Sequence, residues 1–595
     1  MGLKTKLLVT TALEKTWGID EEIIFLGEWC KPFSKYNQWH KRNFKVTIYH
    51  WRDREKLERD HEYLNEINEV FLDKLVIFLN QFHGVDRKKS YWRLIVGPWL
   101  LNYIPVLWDR WESLSSIRDE PVKLETFKSA SNLSRQVAKD FNEAIAFYDS
   151  HEWNHQIYLS IINFRDDLHI RQKKIEIDLS IQNLNPFYKL TFLRRCFNLS
   201  LKILDFSFNL LPIKNRKIVL FQSYFSKITF LKLAIRLKIL PGINAILDQQ
   251  IKYPNSIDRL SIEKIETYIS GDSNKEMFEK FLANNLIKDI PISYLEGYQK
   301  LLNIQSKIFN AENIFTANAH FASELFKVWS AEQKLKGSKL IISSHGGAIY
   351  PLYTVFDHQE KIADYRIVWG KEWINKQIRM PANKISAKIK NYNQQGDLSL
   401  IDYDGLNYSY RCASIPMGPL VLDGYEQKKE LIQKLSERTR SIFKVRPSPL
   451  GKWETTERYK HTFGDNIISR EPTLISTILN SRLLICAYPQ TTFSEAMFSG
   501  VPTMILYVEE FWEVQPIYDE LIETLKESKI IHISVSSAVK HIESVIENPM
   551  EWWNETQTIL ARKKFNDFCL TIKENPTNSW GELFRAISSG GIIKR

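Results

Sequence analysis

The chain has 595 residues, 44% hydrophobic and 25% charged, with a net charge of +11 and a pI near 9.0. This composition excludes a disordered or fibrous chain, and the length predicts two or more domains. Five cysteines, Cys30, Cys196, Cys412, Cys486 and Cys569, are odd in number and far apart. They form neither a disulfide framework nor a zinc-spaced cluster, which predicts a reduced, cytoplasmic protein. The N-terminal apolar run is too brief for a signal segment, and no stretch of about 18 apolar residues is present to span a bilayer.

In chain order, EEIIFLGEWC reads as a short strand running into a loop at Gly27 and Glu28. In DREKLERDHEYLNEINEVFLDKLVIFLNQFHG, Leu57, Leu64, Ile67, Phe71, Leu75, Phe78 and Phe82 recur at helical steps, so a long amphipathic helix is expected. SYWRLIVGPWLLNYIPVLWDRWESL is apolar nearly all round and reads as buried helix interrupted near Gly97–Pro98. NRKIVLFQS, KLIISSHGG and DYRIVWG are β-like, with helical patterns between them in SIEKIETYIS and NAHFASELFKVWSAEQKL. The polar stretch NKISAKIKNYNQQGD reads as a linker or exposed loop. Beyond it, SIFKVRP, RLLICAYPQ, VPTMILY and KIIHIS are strands alternating with helices. The expected class is therefore α/β, with parallel sheets covered on both faces and ligands bound outside the strands' carboxyl ends. Two such halves imply a cleft between them.

Charge is unevenly spread. Between Lys189 and Leu240 there are eleven basic residues and one acid, Asp205, interleaved with Phe and Leu. The segment is either an interfacial element for anionic lipid or a βα unit with a solvated basic face. No helix-turn-helix, zinc-finger or RNA-binding pattern is present, so no nucleic-acid partner is expected.

Four stretches carry chemistry. In IISSHGGAIYP, a strand ends on His345, and Gly346 and Gly347 let a ligand approach backbone N–H groups, or else simply make a turn. In AYPQTTFSEAMFSG, Thr491 and Thr492 stand at a helix N-terminus suited to an anion, with Ser494 and Glu495 in the first turns, or else one of them simply caps an ordinary helix. Lys444 and Arg446 alternate on one face at the end of a strand, which is either a pair of cations for a phosphate or a solvated edge strand. Glu28 ends an early strand and is either the base, if His345 only binds phosphate, or a polar loop residue. DYDG at Asp402–Gly405 looks like a metal-holding acid pair, but Asp-Gly is a common turn, and no metal is assigned.

The strand, hydroxyls, SEA and SGVPTMI order resembles the donor-binding segment of GT-B glycosyltransferases. Over nearly the full length, TTALEKTW, IIFLGEWCKPFSKYNQW, YHWRDREKLERDHEYL, YWRLIVGPWL, SSHGGAIY and ADYRIVWGKEW resemble the transferases of bacterial O-antigen and surface-polysaccharide clusters. Ser344 stands where that group often carries Gln, and Ala348–Ile349 replaces a second glycine step. The resemblance implies a GT-B-like fold of two Rossmann-like domains, residues 1–375 with helical insertions and residues 376–595 with a terminal helix. It also implies that His345 acts as base or phosphate ligand, that Glu495 holds a ribose, and that the hydroxyls meet phosphate. No cofactor is expected beyond the nucleotide-sugar co-substrate. The donor stays open between a CMP-linked acidic sugar, such as a nonulosonate or Kdo, and a nucleotide diphosphate. The acceptor would be a glycan or lipid-linked glycan on the inner face of the membrane. Transfer of a polyol phosphate from a CDP donor, and a non-catalytic scaffold, are the alternatives.

Overall fold

The computed structural model describes residues 4–131, 135–181, 215–239, 247, 251–259, 273–347, 349–355, 357–384, 392–449 and 451–590. Among the described residues, fifteen short strands form three five-stranded sheets, and every pairing within them is parallel. The first sheet holds β1 (Thr5–Val9), β2 (Ile23–Phe25), β3 (Phe44–Val46), β4 (Lys123–Ser129) and β5 (Ile170–Ile175), in the order β3-β2-β1-β4-β5. The second holds β6 (Asn215–Phe221), β7 (Asn310–Thr316), β8 (Lys339–Ser343), β9 (Tyr365–Val368) and β10 (Gln377–Arg379), in the order β10-β9-β8-β7-β6. The third holds β11 (Asp397–Ile401), β12 (Phe443–Arg446), β13 (Ser481–Cys486), β14 (Thr503–Leu506) and β15 (Ile531–His532), in the order β12-β11-β13-β14-β15. The α/β class and parallel pairing are as expected, but the sheets number three where the sequence pattern suggested two. The extra sheet is hidden because β2 and β3 have three residues each, while the hydropathy of this region is dominated by its helices.

Those helices are Arg54–His83 and Lys89–Ser115. The second runs unbroken through Pro98 and Pro105, so the expected interruption does not occur. Burial on all sides outweighs the roughly 3 kcal/mol that an internal proline costs. Asn102 Nδ2 also donates to the Pro98 carbonyl at 2.7 Å. The helix joins parts of the molecule: Arg110, fully buried, donates to the Asp109 carboxylate and to the Ser409 carbonyl, each at 2.6 Å. Arg52 and Arg54 add bidentate pairs to Asp423 and Glu513. Together these bonds fix the first sheet's rim against the third-sheet region.

The second sheet is apolar on both faces. Val219, Phe221, Ile314, Leu340 and Ile342 join the large core that includes the helix Lys89–Ser115. Ile218, Leu220, Phe315, Ile341 and Ile367 pack under Trp580, Leu583, Phe584 and Ile587 of the helix Pro576–Ser588. The C-terminal helix thus crosses back from the third-sheet region onto the second sheet. The stretch SIEKIETYIS, read as helix, lies outside the described residues.

Candidate active site

His345 lies two residues past β8. Its ring stacks on Tyr224, with centroids 6.1 Å apart and planes at 22°. Tyr224 belongs to the loop after β6, where Gln222 and Tyr224 have φ of 46° and 60°. Two bulky residues in the left-handed region store about 1 kcal/mol or more each, and such strain gathers at functional sites. The loop is held there because Ala317 N–H donates to the Gln222 carbonyl at 3.1 Å, and Asn383 Nδ2 to the Ser223 carbonyl at 2.6 Å. Burial, and then the charges of Arg366, Lys384 and Arg411, hold His345 down to about 4, against a backbone hydrogen bond with Ala317 that favours the proton. The imidazole is therefore neutral near pH 7 and able to accept a proton. An anion among those cations would raise its basicity.

The two glycines let two sheets meet. Gly347 N–H donates to Thr491 Oγ1 at 2.7 Å, and Gly347 has φ of +94°. Ser494 Oγ donates to the Gly347 carbonyl at 3.3 Å, and Gln490 Nε2 to the Ile349 carbonyl at 3.0 Å. A Cβ at Gly346 would overlap Thr491 Oγ1. The His-Gly-Gly loop of the second sheet is thus fastened to the helix Thr491–Ser499, which follows β13 of the third. The close approach at Gly346 is that of a helix, and the Gly347 amide is already engaged.

Around this junction, the Thr492 hydroxyl bonds the Tyr488 hydroxyl at 2.7 Å. No side chain among the described residues caps the helix, so its first N–H groups keep their capacity for an anion. Glu495 lies 3.7 Å from Lys384 Nζ. Burial raises its pKa, with Lys384 opposing. Lys384 is thus shared between Glu495 and the field at His345. Behind them, His320 is fully buried with neither ring nitrogen hydrogen-bonded, and burial keeps it neutral.

Other sequence-selected residues make bonds of their own. Lys444 Nζ donates to the Asn466 carbonyl at 2.7 Å, and Arg446 to the Glu471 carbonyl at 2.8 Å and the Thr477 hydroxyl at 3.1 Å. Both brace a connection beside β12, the edge strand. Glu28 sits on the rim of the first sheet, ion-paired to Lys31 at 2.9 Å. Asp402 accepts from Tyr459, and Asp404 from Thr455 and Trp453, so the DYDG acids serve internal bonds. Among the described residues, no group of three or more His, Cys, Asp and Glu is arranged to hold a metal.

Tyr224, Lys384, Arg411 and His320 are members of the site that sequence reading missed. Lys384 falls within the polar stretch taken for a linker. The strained turn that presents Tyr224 leaves no compositional mark, since neither Gln222 nor Tyr224 is a glycine.

A model of the LIC12162 family transferases matches residues 6–584. The chain belongs to that family. It is therefore a transferase of the LIC12162 family, and the junction at His345 is its leading candidate centre. No curated protein matches the chain. Among solved structures, the calicheamicin glycosyltransferase CalG4 aligns at a TM-score of 0.31 and 10% identity, over 64% of this chain and 100% of its own. The spinosyn forosaminyltransferase SpnP aligns at 0.30 and 10%, over 63% and 100%. Overlays that distant carry no inference about substrate or mechanism.

Proposed function

We propose that this LIC12162 family transferase is a glycosyltransferase, moving a sugar from a nucleotide donor to a bacterial surface glycan such as O-antigen. The observation that carries the reading is the convergence at one sheet-to-sheet junction of a neutral imidazole, cations and an uncapped helix N-terminus. His345 would take the acceptor hydroxyl proton as the new C–O bond forms. The bond between the anomeric carbon and the phosphate oxygen would break, leaving negative charge on the nucleotide. Lys384, Arg411 and the helix N-terminus at Thr491 and Thr492 would stabilise that charge, and Glu495 would hold the ribose. A CMP-linked acidic sugar suits this set, since its carboxylate and phosphate both call for cations. We take Glu28, on another sheet's rim, as the weaker base candidate. Residues 1–375 would act as the acceptor side and residues 376–595 as the donor side, with the enzyme working on the cytoplasmic face of the membrane.

The test is titration calorimetry of the full chain with CMP, CDP, UDP and GDP, followed by transfer assays with the sugar forms of whichever binds. Saturable binding of one nucleotide, weakened by Lys384→Ala, supports the reading. No binding of any nucleotide removes it. Transfer of a polyol phosphate from a CDP donor is the second reading, because the same base and cations serve attack at phosphorus. A product retaining the donor's phosphate would select it.

A further inference from the structure

The helix Lys227–Leu237 has apolar side chains on two opposite faces. Leu233 and Ala234 are buried, and Phe230 and Leu237 pack with them against the second sheet and the C-terminal helix. On the outer side Ile228, Leu231 and Ile235 are 69%, 52% and 70% exposed. Their spacing of three and four residues makes one continuous stripe along the helix. Lys227 and Lys232 flank that stripe on its two sides, both exposed, and exposed Lys238 closes its end. The sequence has no acid between Asp205 and Asp248. Arg236 is turned away, bonded to Asn578 and paired with Glu582 at 3.5 Å. Three adjacent aliphatic side chains left in water are not explained by packing, which already uses the opposite face.

We propose that this stripe docks the enzyme on an anionic lipid bilayer, with Ile228, Leu231 and Ile235 entering the headgroup–acyl boundary and Lys227, Lys232 and Lys238 meeting lipid phosphates. The cations fix the choice of occupant. An apolar protein partner would need no ring of lysines, whereas a bilayer of acidic headgroups matches both parts of the surface. The helix is capped by Ser226, two residues after Tyr224. Docking there brings the Tyr224–His345 face to the membrane, so the acceptor is one carried by lipid. This step deepens the transferase reading and rests on it. The docking itself stands on the helix alone. No described helix is long and apolar enough to cross a membrane, so the contact is at the surface.

Flotation of the full chain tests it, with vesicles of phosphatidylcholine holding roughly 30% phosphatidylglycerol and with phosphatidylcholine alone. Wild type should float with the anionic vesicles only. Replacing Ile228, Leu231 and Ile235 together by Ser should weaken binding by about 10²-fold. Lys227→Glu with Lys232→Glu should weaken it by about tenfold or more and remove its salt dependence. All these positions are exposed, so melting temperature and nucleotide binding should be unchanged. Equal flotation of the triple variant overturns the proposal. So does a wild-type dimer in lipid-free buffer that the triple variant loses, which would give the stripe to a second copy. Wild type that floats but binds no nucleotide removes the transferase reading and leaves the docking. Wild type that binds nucleotide but never floats does the reverse.

Discussion

The first sheet and the His345 junction each place a histidine at strand carboxyl ends, and both imidazoles are held down to about 4. They differ in what surrounds them. In the first sheet the strand order reverses between β1 and β4, where an open α/β sheet has its crevice. That crevice is filled. His155 is fully buried and bonds the Thr10 hydroxyl at 3.0 Å, and Trp29 Nε1 donates to the Thr10 carbonyl at 3.0 Å. Burial alone lowers His155, with a backbone hydrogen bond to Phe127 opposing it. His345 is lowered by burial and by three cations, and it stacks on a half-exposed Tyr224. An anion can reverse the second cause and not the first. Similar acidities therefore mark a structural histidine in one place and a switchable one in the other.

The comparison breaks first on exchange of the two histidines for alanine. His345→Ala should reduce transfer by about 10² to 10⁴-fold with little change in melting temperature, the loss expected when a general base is removed. His155→Ala leaves a cavity and an orphaned Thr10 hydroxyl, so about 1–3 kcal/mol of stability should go, while turnover per folded molecule stays near wild type. Chemical denaturation and rate measurement on both variants check the pair. Equal rate losses would erase the distinction.

How far the sequence carries this contrast depends on what each feature is made of. The strand-then-helix rhythm marks the third sheet well, because RLLICAYPQ and VPTMILY hold the apolar runs LLICAY and MILY. β11 escapes it, since DLSLI adjoins the polar stretch read as a linker. The His-Gly-Gly loop is visible in the chain, but its purpose is not. Only the fold shows that Gly346 makes room for Thr491 Oγ1, while Gly347 supplies a positive φ and the N–H that bonds it. Lys444 and Arg446 do alternate on one face, as period two dictates. Which neighbour takes them is tertiary: the carbonyls of Asn466 and Glu471 do. The basic segment before residue 215 lies outside the described residues, and its continuation includes the helix Lys227–Leu237.

Acid should expose the burial that both histidines share. His61, His83, His151, His155, His345 and His532 are lowered to about 4, and His358 and His541 to about 3, all from 6.5. The unfolded chain therefore binds more protons than the folded one between pH 6.5 and 4, and stability falls as pH falls through that window. Asp149, Asp357 and Asp402, raised to about 6, act in the opposite sense. His320, lowered well below 6.5, acts with the imidazoles, and Glu324, Asp397, Asp404 and Glu495, all raised by burial, act with the three aspartates. Nine imidazoles against seven carboxylates leave a net uptake of protons on unfolding near pH 5, so stability should fall from pH 7 to pH 5. Denaturation midpoints at pH 7, 6 and 5 measure the slope. A flat profile would mean the histidines are hydrated. Saturating nucleotide should lift the titration of His345 in an imidazole NMR spectrum and leave His155 where it is.

The sheet-to-sheet joint is probed by one methyl group. Gly346→Ala puts a Cβ onto Thr491 Oγ1, so a cost of about 1–3 kcal/mol is expected. Thr491→Ala removes the opposing oxygen at the price of the Gly347 hydrogen bond, about 1 kcal/mol. If the clash is the cause, the double variant should be more stable than the two single losses added together, a coupling that denaturant midpoints resolve. Strict additivity would place the strain elsewhere.

The smallest expected effect separates the two sets of charged residues on the third sheet. Glu495 stands one turn inside an uncapped helix, beside Lys384 and partly buried. If it accepts hydrogen bonds from a ribose, Glu495→Gln keeps the shape and one acceptor but loses the charge that strengthens them, so nucleotide affinity should fall about tenfold. Stability should hold or rise slightly, because the substitution leaves no buried carboxylate to desolvate. Lys444→Ala loosens the brace to Asn466 on an edge strand, where exposed pairs contribute about 1 kcal/mol or less, and nucleotide affinity should stay within about twofold of wild type. Calorimetry with the nucleotide that binds wild type, run on both variants, reads the difference directly. Affinity lost at Lys444 and kept at Glu495 would move the phosphate site to β12, away from His345, and the imidazole would then have no anion to raise it.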